Sequence, residues 1–377
     1  MKFIIAPDKF KGSLSGFEFC EAVEAGILKV FPNASITKMP LADGGDGTID
    51  VVGFYLQGDK ITTTVNDPFF KSIKATYLYS DTRKIAFIEM AEASGLKLLK
   101  HSEFDCVQAT TYGTGELIVD ALNRGAKEII LGIGGSATND GGMGMANALG
   151  FHFLDADEKE IKPIGTNLNR VVQIDDTQKH PLLKNVKIKV ACDVSNPFYG
   201  KNGAAYVYAK QKGACEKEIT QLDHGLKNFA KVIANKYSIN LQNISGSGAA
   251  GGIGGGAVAF LKGELTSGIN LIKELADFDT KISDADWIIT GEGMIDIQTL
   301  AGKTISGVIA SAAKNNIPVA ALCGSVNLTL EEQKKLNLTY VTSIVQGISN
   351  LQEAMDSSHE NIIKASYNFA NLLDKQK

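Results

Sequence analysis

Short apolar runs alternate with amphipathic stretches along most of this chain. Lys2 to Ala6 is apolar and short enough for a buried strand, Pro7 to Ser15 is a polar loop, and Glu18 to Phe31 carries apolar residues near helical spacing. A second strand, Ser35 to Met39, runs into Ala42-Asp43-Gly44-Gly45-Asp46-Gly47-Thr48. The same texture returns near the other end. Trp287-Ile288-Ile289 reads as a strand, followed by a glycine-bearing loop, a helix from Thr304 to Lys314, a strand from Val319 to Leu322 and a final helix from Leu351 to Leu373. Strands that alternate with helices predict an α/β fold with a parallel sheet and right-handed crossovers.

The middle of the chain differs. Residues 61–100 contain period-two segments such as Ile61-Thr62-Thr63-Thr64-Val65, which predict an antiparallel sheet. A helix at Thr114 to Asn123 and a strand at Glu128 to Leu131 deliver the loop "LGIGGSATNDGGMG" (131–144). "VKIKVACDVSNPFYG" gives another strand ahead of Asp193, and "GSGAAGGIGGGAVAFL" a second glycine run. No low-complexity linker or internal repeat interrupts the pattern. The reading is a discontinuous α/β domain made of both chain ends, residues 1–60 and 276–377, with a second α/β domain, residues 61–275, inserted.

Composition narrows the function classes. A chain of 377 residues exceeds one ordinary core, and 44% hydrophobic with 21% charged residues is typical of a soluble enzyme. A net charge of -4 argues against nucleic-acid or anionic-membrane partners. Only three of the 38 basic residues are arginines (Arg83, Arg124, Arg170), and none lies in a glycine-rich segment. A bound anion would therefore rely on lysine, backbone N–H groups or a metal ion. The opening MKFIIAPDKF does not read as a signal peptide, and no segment reaches the ~20 apolar residues that span a bilayer. Five scattered cysteines (20, 106, 192, 215, 323) suit reduced thiols in a cytoplasm and give no zinc spacing.

The nucleotide motifs are weak individually. "GIGGSA" (132–137) matches G-x-G-x-x-A and "GSGAAG" (246–251) matches G-x-G-x-x-G, but neither sits in the first βαβ unit that a dinucleotide fold requires. "AGKT" (301–304) has the end of a Walker A loop, yet Ile297 stands where its first glycine should be. What remains is general: glycine loops leading into helices present N–H donors to anions, so phosphate is the favoured ligand class. For residues 251–258, close packing of an apolar helix is an equal alternative. Carboxylates also gather after strands: Asp8, Asp43, Asp46, Asp193, Glu292 and Asp296. Singly each reads as a turn or cap residue. Together they call for a shared hard cation, Mg²⁺, alongside substrate phosphates. Lys9, Lys11 and Lys303 stand in loops where a lysine can neutralise a transferring phosphoryl group.

These segments resemble the bacterial glycerate kinase family. The resemblance rests on "APDKFKGSLS" (6–15), "PLADGGDGT" (40–48), "TTYGTGELI" (110–118), "GIGGSATNDGGMGMANALG" (132–150), "ACDVSNPFYG" (191–200), "GSGAAGGIGGG" (246–256) and "TGEGMIDIQTLAGKT" (290–304). It implies phosphorylation of D-glycerate by ATP with Mg²⁺, most naturally to 2-phospho-D-glycerate. It also implies a flavodoxin-like domain from both termini, an inserted α/β domain and an active site in the cleft between. Asp8, Lys9, Lys11, Asp43 and Asp296 are expected to carry catalysis, with Asp43 or Asp296 as base. Asp46, Gly134, Gly135, Ser136, Asn139, Asp140, Ser195 and Glu292 are expected to bind substrate or nucleotide. Asp193 is expected to hold the metal, with Asp140 a second candidate. Two departures stand out: Asp46 where the family has Glu, and Met294 and Ile297 where it has Arg and a small polar residue. Losing that arginine favours a related hydroxy acid as the alternative substrate. Independently of it, a 3-phosphoglycerate product, a non-catalytic nucleotide-binding protein and a homo-oligomer stay open.

Overall fold

The computed structural model describes residues 1–43, 48–297 and 304–375. The chain forms two compact units. A terminal unit comprises Met1–Tyr55 and Ser267–Lys377, and a central unit comprises Leu56–Thr266.

The terminal unit is built on five parallel strands, in spatial order Tyr340–Ser343, Val319–Cys323, Trp287–Thr290, Lys2–Ile5, Ser35–Lys38. Numbered along the chain this is the doubly wound order 2-1-3-4-5, flavodoxin-like, whose direction reverses between the first strand and Trp287–Thr290. Phe3 pairs with Trp287 on one side and with Ile36 on the other. The first helix, Gly16–Leu28, starts two residues earlier than its apolar spacing suggests, because Ser15 caps it. The Ser15 hydroxyl accepts from the Glu18 N–H at 3.2 Å, while the Glu18 carboxylate accepts from the Ser15 N–H at 2.8 Å. Its apolar face, Phe19, Val23 and Ile27, joins Phe3, Ile289, Leu322 and Phe369 in the core.

The final helix is two helices, Leu351–Asp356 and Ser358–Asp374. The Ser13 hydroxyl donates to the Met355 carbonyl at 2.9 Å and to Ser358 Oγ at 2.8 Å, so the loop after the first strand engages the break. The longer helix packs on the first one through Gly26, where a Cβ would lie 2.0 Å from Ser366 Oγ. Bulk at that point would push the helices apart.

The central unit holds a six-stranded mixed sheet in the order Glu264–Thr266, Lys187–Ala191, Glu128–Gly132, Ile85–Glu89, Ser72–Ser80, Asp59–Asn66. Only the pairings among the last three are antiparallel; Ile85–Glu89 joins them to the parallel part by pairing with Glu128–Gly132. The alternation over residues 61–100 thus marks half of a larger mixed sheet. Its core gathers Ile88, Leu117, Ile129, Leu131, Phe153, Val190 and Phe229. Among the described residues, no helix is long and apolar enough to cross a membrane.

Candidate active site

In the terminal unit the sheet reverses direction beside Asp8. The first strand continues as Ala6-Pro7-Asp8, with the Ala6 N–H donating to Ile289 O at 2.8 Å and the Asp8 N–H to Gly291 O at 2.9 Å. Two neighbouring parallel strands therefore end together. Beyond them opens a cavity of about 510 Å³, whose lining combines the charged Asp8, Lys9, Lys11, Asp43, Glu292 and Asp296 with the apolar Met294, Ile344, Val345, Leu351 and Met355. A crevice outside the carboxyl ends of strands, at the point of reversal, is where open α/β sheets bind ligands.

Asp8 is held by two hydrogen bonds. Its Oδ1 accepts from the Lys9 N–H at 2.7 Å and its Oδ2 from the Thr304 hydroxyl at 2.5 Å. Burial raises its pKa above the ordinary carboxylate value, and the nearby Asp43 charge pushes the same way, against the Thr304 and Lys9 hydrogen bonds. Thr304 itself is buried at the start of the helix Thr304–Lys314. Its hydroxyl thus serves Asp8, a role that the "GKT" spacing did not suggest. Met294 is 53% exposed on the cavity wall. Asp46 and Lys303 lie outside the described residues.

The remaining expected residues belong to the central unit. Its strands Glu128–Gly132 and Lys187–Ala191 are parallel neighbours with Gly132 opposite Ala191, so Gly134 and Asp193 leave the same edge of the sheet. Gly134, Gly135, Asp193 and Ser195 are all exposed there. A Cβ built on Gly134 meets nothing within 4 Å, and its φ is not in the left-handed region. Nothing in the fold of the unit itself requires glycine at that position.

Further along the loop the side chains turn inward. Ser136, Asn139 and Asp140 are buried. Asp140 accepts from the Thr111 N–H and hydroxyl, both at 2.8 Å, from the Gly144 N–H at 3.1 Å and from the Gly142 N–H at 3.2 Å. The anion at the start of the helix Met143–Ala148 is therefore Asp140 itself, which explains a carboxylate inside the glycine loop. With its oxygens so engaged and burial raising its pKa, Asp140 shapes the loop and does not present a carboxylate to a metal. The second glycine run is a packing surface. A Cβ on Gly251 would lie 2.1 Å from Thr138 O, and one on Gly256 would lie 2.4 Å from Gly141 O.

One residue gave no signal in the sequence. Lys212 is 2% exposed, and its ammonium donates to Ser136 Oγ at 2.6 Å and to Thr138 O at 2.8 Å. In a chain this rich in lysine, only burial distinguishes it. Beside it, the Asn139 amide and the Thr138 hydroxyl are buried with no hydrogen-bond partner in the protein. Among the described residues, no three Asp, Glu, His or Cys side chains group as a ready metal site.

A sequence model of the glycerate kinase family matches residues 3–374. The chain is 42% identical to a glycerate kinase of Halalkalibacterium halodurans over 97% of each chain. It is 42% identical to the glycerate 2-kinase of Escherichia coli, over 98% of this chain and 97% of that one. A crystal structure from Salmonella typhimurium LT2, of a chain described as a glycerate kinase 2, matches with a TM-score of 0.89 and 39% identity, covering 100% of this chain and 99% of the other.

Proposed function

Since this chain belongs to the glycerate kinase family, we propose that it phosphorylates D-glycerate with ATP to give 2-phospho-D-glycerate. The observation that carries the reading is the cavity at the strand reversal, where Asp8, Asp43, Lys9 and Lys11 face one space. Such a site offers a base and two cations to a small hydroxy acid. The 2-hydroxyl oxygen attacks the γ-phosphorus, the new O–P bond forms as the β–γ bridging bond breaks, and ADP leaves.

Asp8 accepts the hydroxyl proton in this scheme. Its pKa, raised chiefly by burial, makes it a better base near neutrality than an ordinary carboxylate. The Asp43 charge adds to this effect of burial. Lys9 and Lys11 steady the glycerate carboxylate and the transferring phosphoryl group, which needs charge neutralisation more than covalent help. Nucleotide phosphates bind at the exposed Gly134–Gly135 turn, where glycine leaves the backbone N–H groups accessible. Asp193, exposed at the same sheet edge, fits Mg²⁺ held jointly with phosphate oxygens, and the ion would supply charge neutralisation there.

A related hydroxy acid is the second reading, favoured by the exposed Met294 on the cavity wall. The test is incubation of the protein with ATP, Mg²⁺ and D-glycerate, with the product read by phosphorus NMR. A 2-phosphoglycerate signal is expected. A 3-phosphoglycerate signal would correct the position only, and no product despite nucleotide binding would move the assignment to another acceptor acid.

A further inference from the structure

We propose that Lys212 is the positioning residue of the phosphate turn, holding the Gly134–Gly135 backbone in its anion-accepting form from behind. The inference rests on the assignment of nucleotide phosphates to that turn, and it names the group that makes the turn electropositive. The stretch 131–144 contains no basic residue, so its exposed amides have no cation of their own. Lys212 supplies one from the interior. Its ammonium spans Ser136 Oγ and Thr138 O, fixing the segment immediately after the turn at two points. It arrives there because Lys210–Lys212 forms a 3₁₀ turn ended by Gly213 at φ +97°, while the Cys106 N–H donates to Lys212 O at 3.1 Å.

A buried ammonium is an expensive way to tie a loop, since neutral donors could serve two oxygens without desolvating a charge. Burial lowers the Lys212 pKa to about 8, an effect that its neighbours offset only in part. The titratable groups facing it are the Cys106 thiol and the Asp140 carboxyl. The thiol is pushed up to about 11 by burial and stays neutral through the relevant range. Asp140 gains a proton as pH falls, the opposite direction. A nearby anionic ligand adds to the partial compensation from Asp140, so ligand and ammonium stabilise each other across the turn.

The experiment is calorimetric titration of the intact protein with ADP, from pH 7 to pH 9, for wild type, Lys212→Met and Ser136→Ala. Wild-type affinity should fall as pH passes about 8, when the ammonium loses its proton. Lys212→Met should bind ADP at least tenfold more weakly at pH 7 and show no such fall, while its KM for glycerate moves less than twofold. Ser136→Ala, which keeps the charge, should retain the pH dependence with a smaller loss. Wild-type affinity that is flat across this range overturns the proposal without any variant. So does a folded Lys212→Met that binds ADP normally, or a wild type that binds no ADP. Intact ADP binding with no phosphorylation of glycerate would sink the substrate assignment alone.

Discussion

Thr304 donates its hydroxyl to Asp8 Oδ2 at 2.5 Å, joining residues 296 positions apart. The bond favours the ionised carboxylate, whereas burial and Asp43 favour the protonated one. Replacing Thr304 by Val removes the donor and keeps the shape. If Asp8 is the base, the acid limb of the kcat/KM profile should move to higher pH in Thr304→Val. A limb that stays in place would assign the base to another carboxylate.

Asp8→Asn should lower turnover by about 10²-fold or more, the usual worth of a positioned base. Stability should respond differently. Because Asp8 is raised above its ordinary 3.8, the folded protein holds that proton more tightly than the unfolded chain. Stability therefore falls as pH rises from 3.8 through the raised folded-state value. The Asn variant should melt no lower than wild type at pH 7, with the difference closing below pH 3.8. Thermal melts at both ends of that range give the sign.

The glycines of the two loops should behave oppositely. Gly256→Ala forces a Cβ to within 2.4 Å of Gly141 O, and overpacking of that kind costs about 1–3 kcal/mol. Gly134→Ala meets no atom within 4 Å and should change stability by about 0.5 kcal/mol or less. Its effect should fall on the KM for ATP. An unchanged KM would mean that the turn does not carry phosphate.

Asp140→Ala should be among the most damaging substitutions in the central unit. It strands three buried N–H groups and one hydroxyl, at about 1–3 kcal/mol for each left unsatisfied. Chemical denaturation should show a loss of about 3 kcal/mol or more. A smaller loss would indicate that water replaces the carboxylate.

Asp193→Asn should leave the melting temperature in place, because the residue is exposed, while turnover collapses and the Mg²⁺ concentration for half-maximal rate rises. Near-normal activity would remove the metal role from Asp193.

Much of the terminal unit was legible because its signals are local. The strand at Trp287, the helix Thr304–Lys314 and the strand at Val319 follow from apolar runs and periodicity alone. Asp8 and Glu292 could be placed together because both follow strands of one parallel sheet. The break after Asp356 was not legible, and the Ser13 hydroxyl that engages it lies more than three hundred residues away in sequence. The second glycine run read equally as ligand loop or packing surface, because the partner, Gly141 and Gly142, declares itself only in three dimensions. Lys212 was invisible for a related reason. A sequence gives the charge of a lysine, and only the fold reveals that the charge is enclosed.

The pairing of Phe3 with Trp287 also bears on how the protein is made. Phe3, Ile4 and Ile5 are wholly buried in the finished sheet, yet they leave the ribosome 284 residues ahead of a partner strand. At ordinary rates of synthesis that interval is on the order of half a minute, during which an apolar strand edge is open to wrong pairing. Leu56–Thr266 has a core of its own and is synthesised ahead of the Trp287 strand. Once that segment is compact, the flexible chain separating the two strands is much shorter, and the entropic penalty of joining them falls. Asp8 thus waits through the synthesis of 296 further residues before its partner Thr304 exists.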